Sequence, residues 1–232
     1  MGLDQVVLLV LGGAGSGLTG SMAGLASLIS YPTLLAVGLS PIAANVTNTV
    51  ALFANTAGAA AGSRRELRGQ GGRVLRLGAV ATIGGAAGAV LLLSTPPSAF
   101  ERIVPWLIAL AAVALLFRDP LRARLTRAAG LPLTPLIFLI AIYSGYFGAA
   151  AGVLMLTVLS LSASEPLAVS NAVKNVVSGI SNLTAAVIYA FVAPVHWPAA
   201  LLLGAGCLLG AWIGPAIVRR LPEKPLRAGI AL

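Results

Sequence analysis

The chain has 232 residues, of which 58% are hydrophobic and 9% charged, with a mean hydropathy of +0.97 and a net charge of +9. Such a composition excludes a soluble domain and points to an all-α polytopic membrane protein. The positive charge does not signal nucleic acid, because the basic residues sit in short loops between apolar runs, as cytoplasmic loops do.

Residues 3–38 form one almost uncharged run. As a straight helix it would measure about 54 Å against a hydrocarbon core of about 30 Å. It must therefore break, and the glycines at 12, 13, 15, 17, 20 and 24 mark the region. The expectation is a hairpin of two part-length helices, whose irregular backbone survives at membrane depth only inside protein or beside a water-filled cavity. Gly15-Ser16-Gly17-Leu18-Thr19-Gly20 matches the dinucleotide fingerprint, but no acidic residue occurs between Asp4 and Glu66 to complete it. Close packing of small residues is the better account.

Pro41 opens a helix to about Gly62, with Ser40 as its N-cap. Asn45, Asn48, Thr49, Asn55 and Thr56 share one face of it. A basic loop covers 63–76, and helices follow over about 74–94 and 99–117. A second basic loop spans 118–134, and a second broken run 135–162, with Gly145, Gly148 and Gly152. Pro166 opens the next helix, which ends near Val192, and His196 lies in the link to a helix over about 197–218. His196 and the three tryptophans, Trp106, Trp197 and Trp212, read as interfacial or packing residues. The chain opens MGLDQ, without the basic residues of a signal peptide, and its last residues read as an interrupted helix.

The chain repeats itself. Gly17, Gly20 and Gly24 match Gly145, Gly148 and Gly152; Pro41 and Asn45 match Pro166 and Asn171; Gly78, Gly84 and Gly88 match Gly204, Gly210 and Gly214. Two units result, 1–117 and 135–232, joined by the basic linker 118–134. Each is a broken helical hairpin plus three transmembrane helices, with the last helix of the second unit truncated. Thirteen of the 15 Lys and Arg residues fall in 63–76, 118–134 and 219–227. These segments share one side if each hairpin enters and leaves on the same face. That arrangement puts the N-terminus outside, the basic loops in the cytoplasm, and the two units in inverted orientation. Inverted repeats with discontinuous helices are the usual construction of secondary transporters, with the binding site near the midplane.

One stretch stands out within this plan. Asn171, Lys174, Asn175, Ser178, Ser181 and Asn182 recur at helical spacing on one stripe. Lys174 is the only charged residue in the interior of a segment fit for the bilayer, and such residues mark substrate or ion pathways. Its repeat counterpart is Asn48, and that of Asn175 is Thr49. The candidate substrate-binding residues are accordingly Asn45, Asn48, Thr49, Asn171, Lys174, Asn175 and Ser178. The ammonium calls for a small anion, and the broken-helix N-termini add partial positive charge. The structural alternative is a lysine that only braces the bundle. The sequence offers no carboxylate pair, no Cys/His cluster and no H-E-x-x-H motif, so no enzyme, metal or cofactor is expected. Carrier, channel or uniporter all suit the stripe, which by itself does not choose among small anions. A homodimer is compatible with the sequence.

The order of these blocks adds a resemblance. A Gly-rich hairpin, the Asn/Thr helix from Pro41 to Thr49, LGAVATIGGAAGA and a basic loop are followed by GYFGAAAG, PLAVSNAVKNVVSG and LGAGCLLGAWIG. This resembles the TauE/SafE family of bacterial permeases over nearly the whole chain. The Gly-x-Gly-Gly-Gly cluster usual in the family's hairpins is reduced here to SMAG and AAAG. The resemblance implies a bacterial inner-membrane protein that exports sulfite, sulfoacetate or related organosulfonates.

Overall fold

The computed structural model describes residues 1–117, 133–161 and 165–220. Every regular element among them is a helix: α1 (Leu3–Ala23), α2 (Ala26–Ala36), α3 (Pro41–Gly62), α4 (Gly71–Leu93), α5 (Pro97–Leu116), α6 (Leu133–Tyr146), α7 (Ala151–Leu161), α8 (Leu167–Val192) and α9 (Trp197–Arg220). Four of them, α1, α4, α8 and α9, are long and apolar enough to cross a membrane. The linker 118–134 lies outside the described residues except at its last two positions. Residues 221–232, with Lys224 and Arg227, lie outside them too.

The first broken run divides late. Its break falls at Gly24-Leu25, where Gly24 takes a left-handed φ of 80° and its N–H bonds the Gly20 carbonyl at 2.8 Å. The expectation of two part-length helices is therefore corrected: α1 has 21 residues and α2 has 11. The glycines from 12 to 20 stay helical because their role is contact. Gly13 and Gly17 face the α9 backbone at Leu203 and Cys207, leaving no room for a Cβ. The second run breaks over Phe147–Ala150, with Gly148 at φ 77° and Ala150 at φ 56°. The other boundaries fall close to expectation. Pro41 is the first residue of α3, although the Ser40 side chain makes no capping bond.

Contacts fix the helix directions. Gly13, Gly17 and Ser21 of α1 meet Leu203, Cys207 and Gly214 of α9 in ascending order, so the two run parallel. Gly58 and Gly62 of α3 meet Leu208 and Trp212 in the same sense. On the other side, Gly84 and Gly88 of α4 meet Ala141 and Ile142 of α6, again parallel. Arg219, near the end of α9, reaches the Gly62 carbonyl at 2.8 Å and Glu66 at 3.2 Å. Arg73, near the start of α4, pairs with Glu165, just before α8, at 2.7 Å. These ties gather the end of α3, the start of α4, the start of α8 and the end of α9 at one charged end of the bundle. Helices α1, α3 and α9 run toward that end; α4, α6 and α8 run away from it.

Two apolar clusters fill the interior. One includes Tyr31, Leu92, Phe100, Phe147 and Tyr189, where Phe147 stacks edge-on against Tyr31 with ring centroids 5.3 Å apart. The other joins Leu77, Ile137, Met155, Leu159 and Val173 nearer the charged end. Polar side chains occupy the zone between them.

Candidate functional site

The two hairpin breaks meet at this polar zone. A Cβ on Gly24 would stand 2.5 Å from Gly152 Cα, and a Cβ on Gly152 would stand 2.5 Å from Gly24 Cα. Only glycine on both sides permits this approach. Lys174 sits beside the contact, about 10 Å along α8 by helical rise. It is only 1% exposed, and its Nζ donates to the Gly20 carbonyl at 3.0 Å. Asn171 and Asn175, one turn apart on the same stripe, both donate from Nδ2 to the Ser21 carbonyl, at 2.9 and 3.0 Å. Two asparagines of α8 thus satisfy the Ser21 carbonyl in the last turn of α1, and Lys174 adds a second donor to the Gly20 carbonyl, which already accepts the Gly24 N–H. The ammonium also faces the negative end of the α1 dipole.

This contact does not use up the lysine, which carries three donors. Lys174, Asn175 and Ser178 line a cavity of about 40 Å³ together with Gly20, Gly24, Asn55, Thr56, Ser144 and Asn182. That is room for about three waters, or one compact ion. The first-turn residues Ala26 and Ser27 of α2, and Ala151 and Gly152 of α7, also line it. None of the lining residues is acidic. The wall therefore offers an ammonium, amides, hydroxyls and two helix N-termini, all suited to negative charge.

Four of the seven sequence candidates lie beside this cavity rather than on it. Asn45 Nδ2 donates to the Tyr146 carbonyl at 2.9 Å, so α3 holds the last turn of α6 as α8 holds that of α1. Asn48 Nδ2 donates to Ser27 Oγ at 3.2 Å and supports the start of α2. Thr49 bonds back to the Asn45 carbonyl at 3.0 Å within its own helix. Asn171 serves α1 as described. The polar lining residues beyond the candidate set are of two kinds. Asn55, Thr56 and Asn182 extend the polar stripes and were legible from spacing. Ser27 and Ser144 are single serines in apolar runs and carried no signal. Ser144 Oγ reaches Asn182 Oδ1 at 3.2 Å.

His196 has no part in the site. Its Nδ1 accepts the Ala199 N–H at 3.3 Å and its own N–H donates to Thr47 Oγ1 at 3.0 Å, which caps α9 and ties it to α3. Trp106, Trp197 and Trp212 are all exposed on the outside of the bundle.

Comparison with known proteins decides the family. The family model described as sulfite exporter TauE/SafE matches residues 9–232. The chain belongs to the TauE/SafE family. Curated relatives agree along the length. A "Probable membrane transporter protein" of Haemophilus influenzae is 27% identical over 229 residues, covering 94% of this chain and 87% of the relative. "Probable membrane transporter protein YfcA" of Escherichia coli is 25% identical over 221 residues, covering 94% and 82%. "Probable membrane transporter protein ORF9" of a Sinorhizobium species is 29% identical over 211 residues, covering 86% and 77%. No solved structure matches the chain. TauE/SafE proteins are multi-pass membrane transporters and not enzymes, which accords with a polar cavity set among apolar helices.

Proposed function

We propose that this TauE/SafE protein is an alternating-access carrier of small anions, sulfite, sulfoacetate or a related organosulfonate, moving them out of the cell. The observation that carries the reading is Lys174: a buried lysine amine on a cavity with no acidic lining residue. A charge in that position is stabilised by a mobile anion better than by one carbonyl. The first turns of α2 and α7, approaching from opposite hairpins, add to the same field.

Several contacts support the inverted-repeat reading, with units 1–117 and 135–232. The corresponding pairs α1 and α6, α3 and α8, and α4 and α9 each run in opposite directions. Corresponding asparagines, Asn45 and Asn171, each hold the last turn of the other unit's hairpin. Gly24 and Gly148, both at left-handed φ, end the first helix of each hairpin, and Gly24 touches Gly152 of the other hairpin. We assign the charged end, which carries Arg64, Arg65, Arg68, Arg73, Arg219 and Arg220, to the cytoplasm, and the N-terminus to the outside. With Asn48 at the position that corresponds to Lys174, the two stripes supply one cation between them.

The test is uptake into vesicles reconstituted with the purified protein. Radiolabelled sulfite and sulfoacetate should enter with saturation, and entry should accelerate when the vesicles are preloaded with unlabelled anion. Non-saturating anion current with no such acceleration would replace the carrier with a channel. Preference for acetate over every sulfur anion would move the substrate class to carboxylates.

A further inference from the structure

Resting on the anion-site reading above, we propose that Asn55 and Ser178 make the site select a compact oxyanion that itself carries one hydrogen-bond donor. Hydrogen sulfite is the probe of that class. A fully deprotonated anion needs only donors, and the cavity supplies them through Lys174, the first turns of α2 and α7, and Asn182. The Oδ1 of Asn182 is already occupied by Ser144, so its Nδ2 is turned to donate. One wall atom, Asn55 Oδ1, does not fit that picture, and a second, Ser178 Oγ, can act as either donor or acceptor. Asn55 Oδ1 and Ser178 Oγ are both buried without a partner, and both residues line the cavity. Tyr31, Asn45, Asn48 and Asn171 also carry an unpartnered buried oxygen, but only those of Asn55 and Ser178 belong to residues lining the cavity, where an acceptor among donors can take a guest's proton.

The position of Asn55 sharpens this. Its Oδ1 lies 3.2 Å from where a Cβ on Gly20 would stand, on the same turn of α1 whose Gly20 carbonyl holds Lys174. Neither polar atom of the Asn55 carboxamide makes a hydrogen bond among the described residues, so the amide presents one donor and one acceptor whichever way it is turned. Ser178 lies one turn beyond Lys174 on α8, and its hydroxyl both donates and accepts. An anion with one O–H and two or more bare oxygens satisfies the ammonium and the orphan acceptor together. An anion of equal size with a methyl in place of the hydroxyl leaves the acceptor unpaired, and sites built to hold a substrate's proton reject such analogues strongly.

The experiment compares hydrogen sulfite with methanesulfinate, which has a methyl where hydrogen sulfite has its hydroxyl. Binding to the purified full chain is measured by calorimetry at a pH where hydrogen sulfite predominates. The wild type should prefer hydrogen sulfite by about tenfold or more. Asn55→Leu should bring the two affinities together, and Ser178→Ala should narrow the gap; the smaller deletion keeps the test in force if Asn55→Leu does not fold. Equal affinities in the wild type, or a gap unchanged in both variants, overturn the selectivity while leaving the anion site intact. If neither anion binds the wild type, the anion site itself is wrong and this inference falls with it.

Discussion

Lys174→Met should lower sulfite affinity by roughly 100-fold, the scale for truncating one partner of a buried charge pair, and transport should fall with it. Methionine keeps an unbranched apolar side chain, one atom shorter, and removes the charge. The fold should survive, because the Gly20 carbonyl retains its 2.8 Å bond from the Gly24 N–H, and Asn171 and Asn175 still hold Ser21. This separates two roles. If the lysine acts only as a brace for the end of α1, the variant should lose thermal stability and keep its affinity. If it binds the anion, affinity goes and most of the stability stays. Thermal unfolding and binding titration on the same detergent-purified sample read both quantities.

The second large effect belongs to the place where the hairpins touch. Gly24→Ala should cost roughly 3 kcal/mol or more and abolish transport. Two penalties combine there. The left-handed φ of 80° disfavours any Cβ by about 1–2 kcal/mol. That Cβ would also stand 2.5 Å from Gly152 Cα, so the two hairpins must separate. Gly152→Ala pushes from the other side by a similar distance and should also abolish transport, without the φ penalty. Gly38→Ala isolates the first penalty, since Gly38 has φ 93° but nothing within 4 Å of its missing Cβ. Gly72→Ala has neither burden and should lie within about 0.5 kcal/mol of the wild type. Thermal unfolding of the four purified variants gives the order. A Gly24→Ala protein as stable as Gly72→Ala would remove the hairpin contact from the account.

Much of this arrangement was legible in the sequence. Apolar run lengths, Pro41, Pro166 and the basic loops set the helices to within a few residues, because these signals are local. What the sequence left open was which glycine breaks a run and which packs. Gly17 and Gly24 look alike as letters, yet one faces the Cys207 backbone inside a helix and the other ends the helix at positive φ. The difference lies in the partner helix, which enters from nearly 200 residues away. The polar stripes had the same limit. Periodicity put Asn171, Lys174, Asn175 and Ser178 on one face, but not what lay opposite. Asn171 turned out to serve a backbone carbonyl, while Asn55 and Ser178, with orphan atoms, were left to the cavity. Ser27 and Ser144 reach the cavity only because a hairpin break brings them there.

The central claim is that Lys174, the one buried cation among the described residues, sits where the two hairpins meet and holds the transported anion. A crystallographic anomalous difference map of the protein with selenite, a heavier analogue of sulfite, tests it most directly. The account predicts one selenium peak in the cavity between the first turns of α2 and α7, with an anion oxygen about 2.8 Å from Lys174 Nζ. A peak elsewhere in the bundle, with Lys174 still bound only to the Gly20 carbonyl, would contradict it.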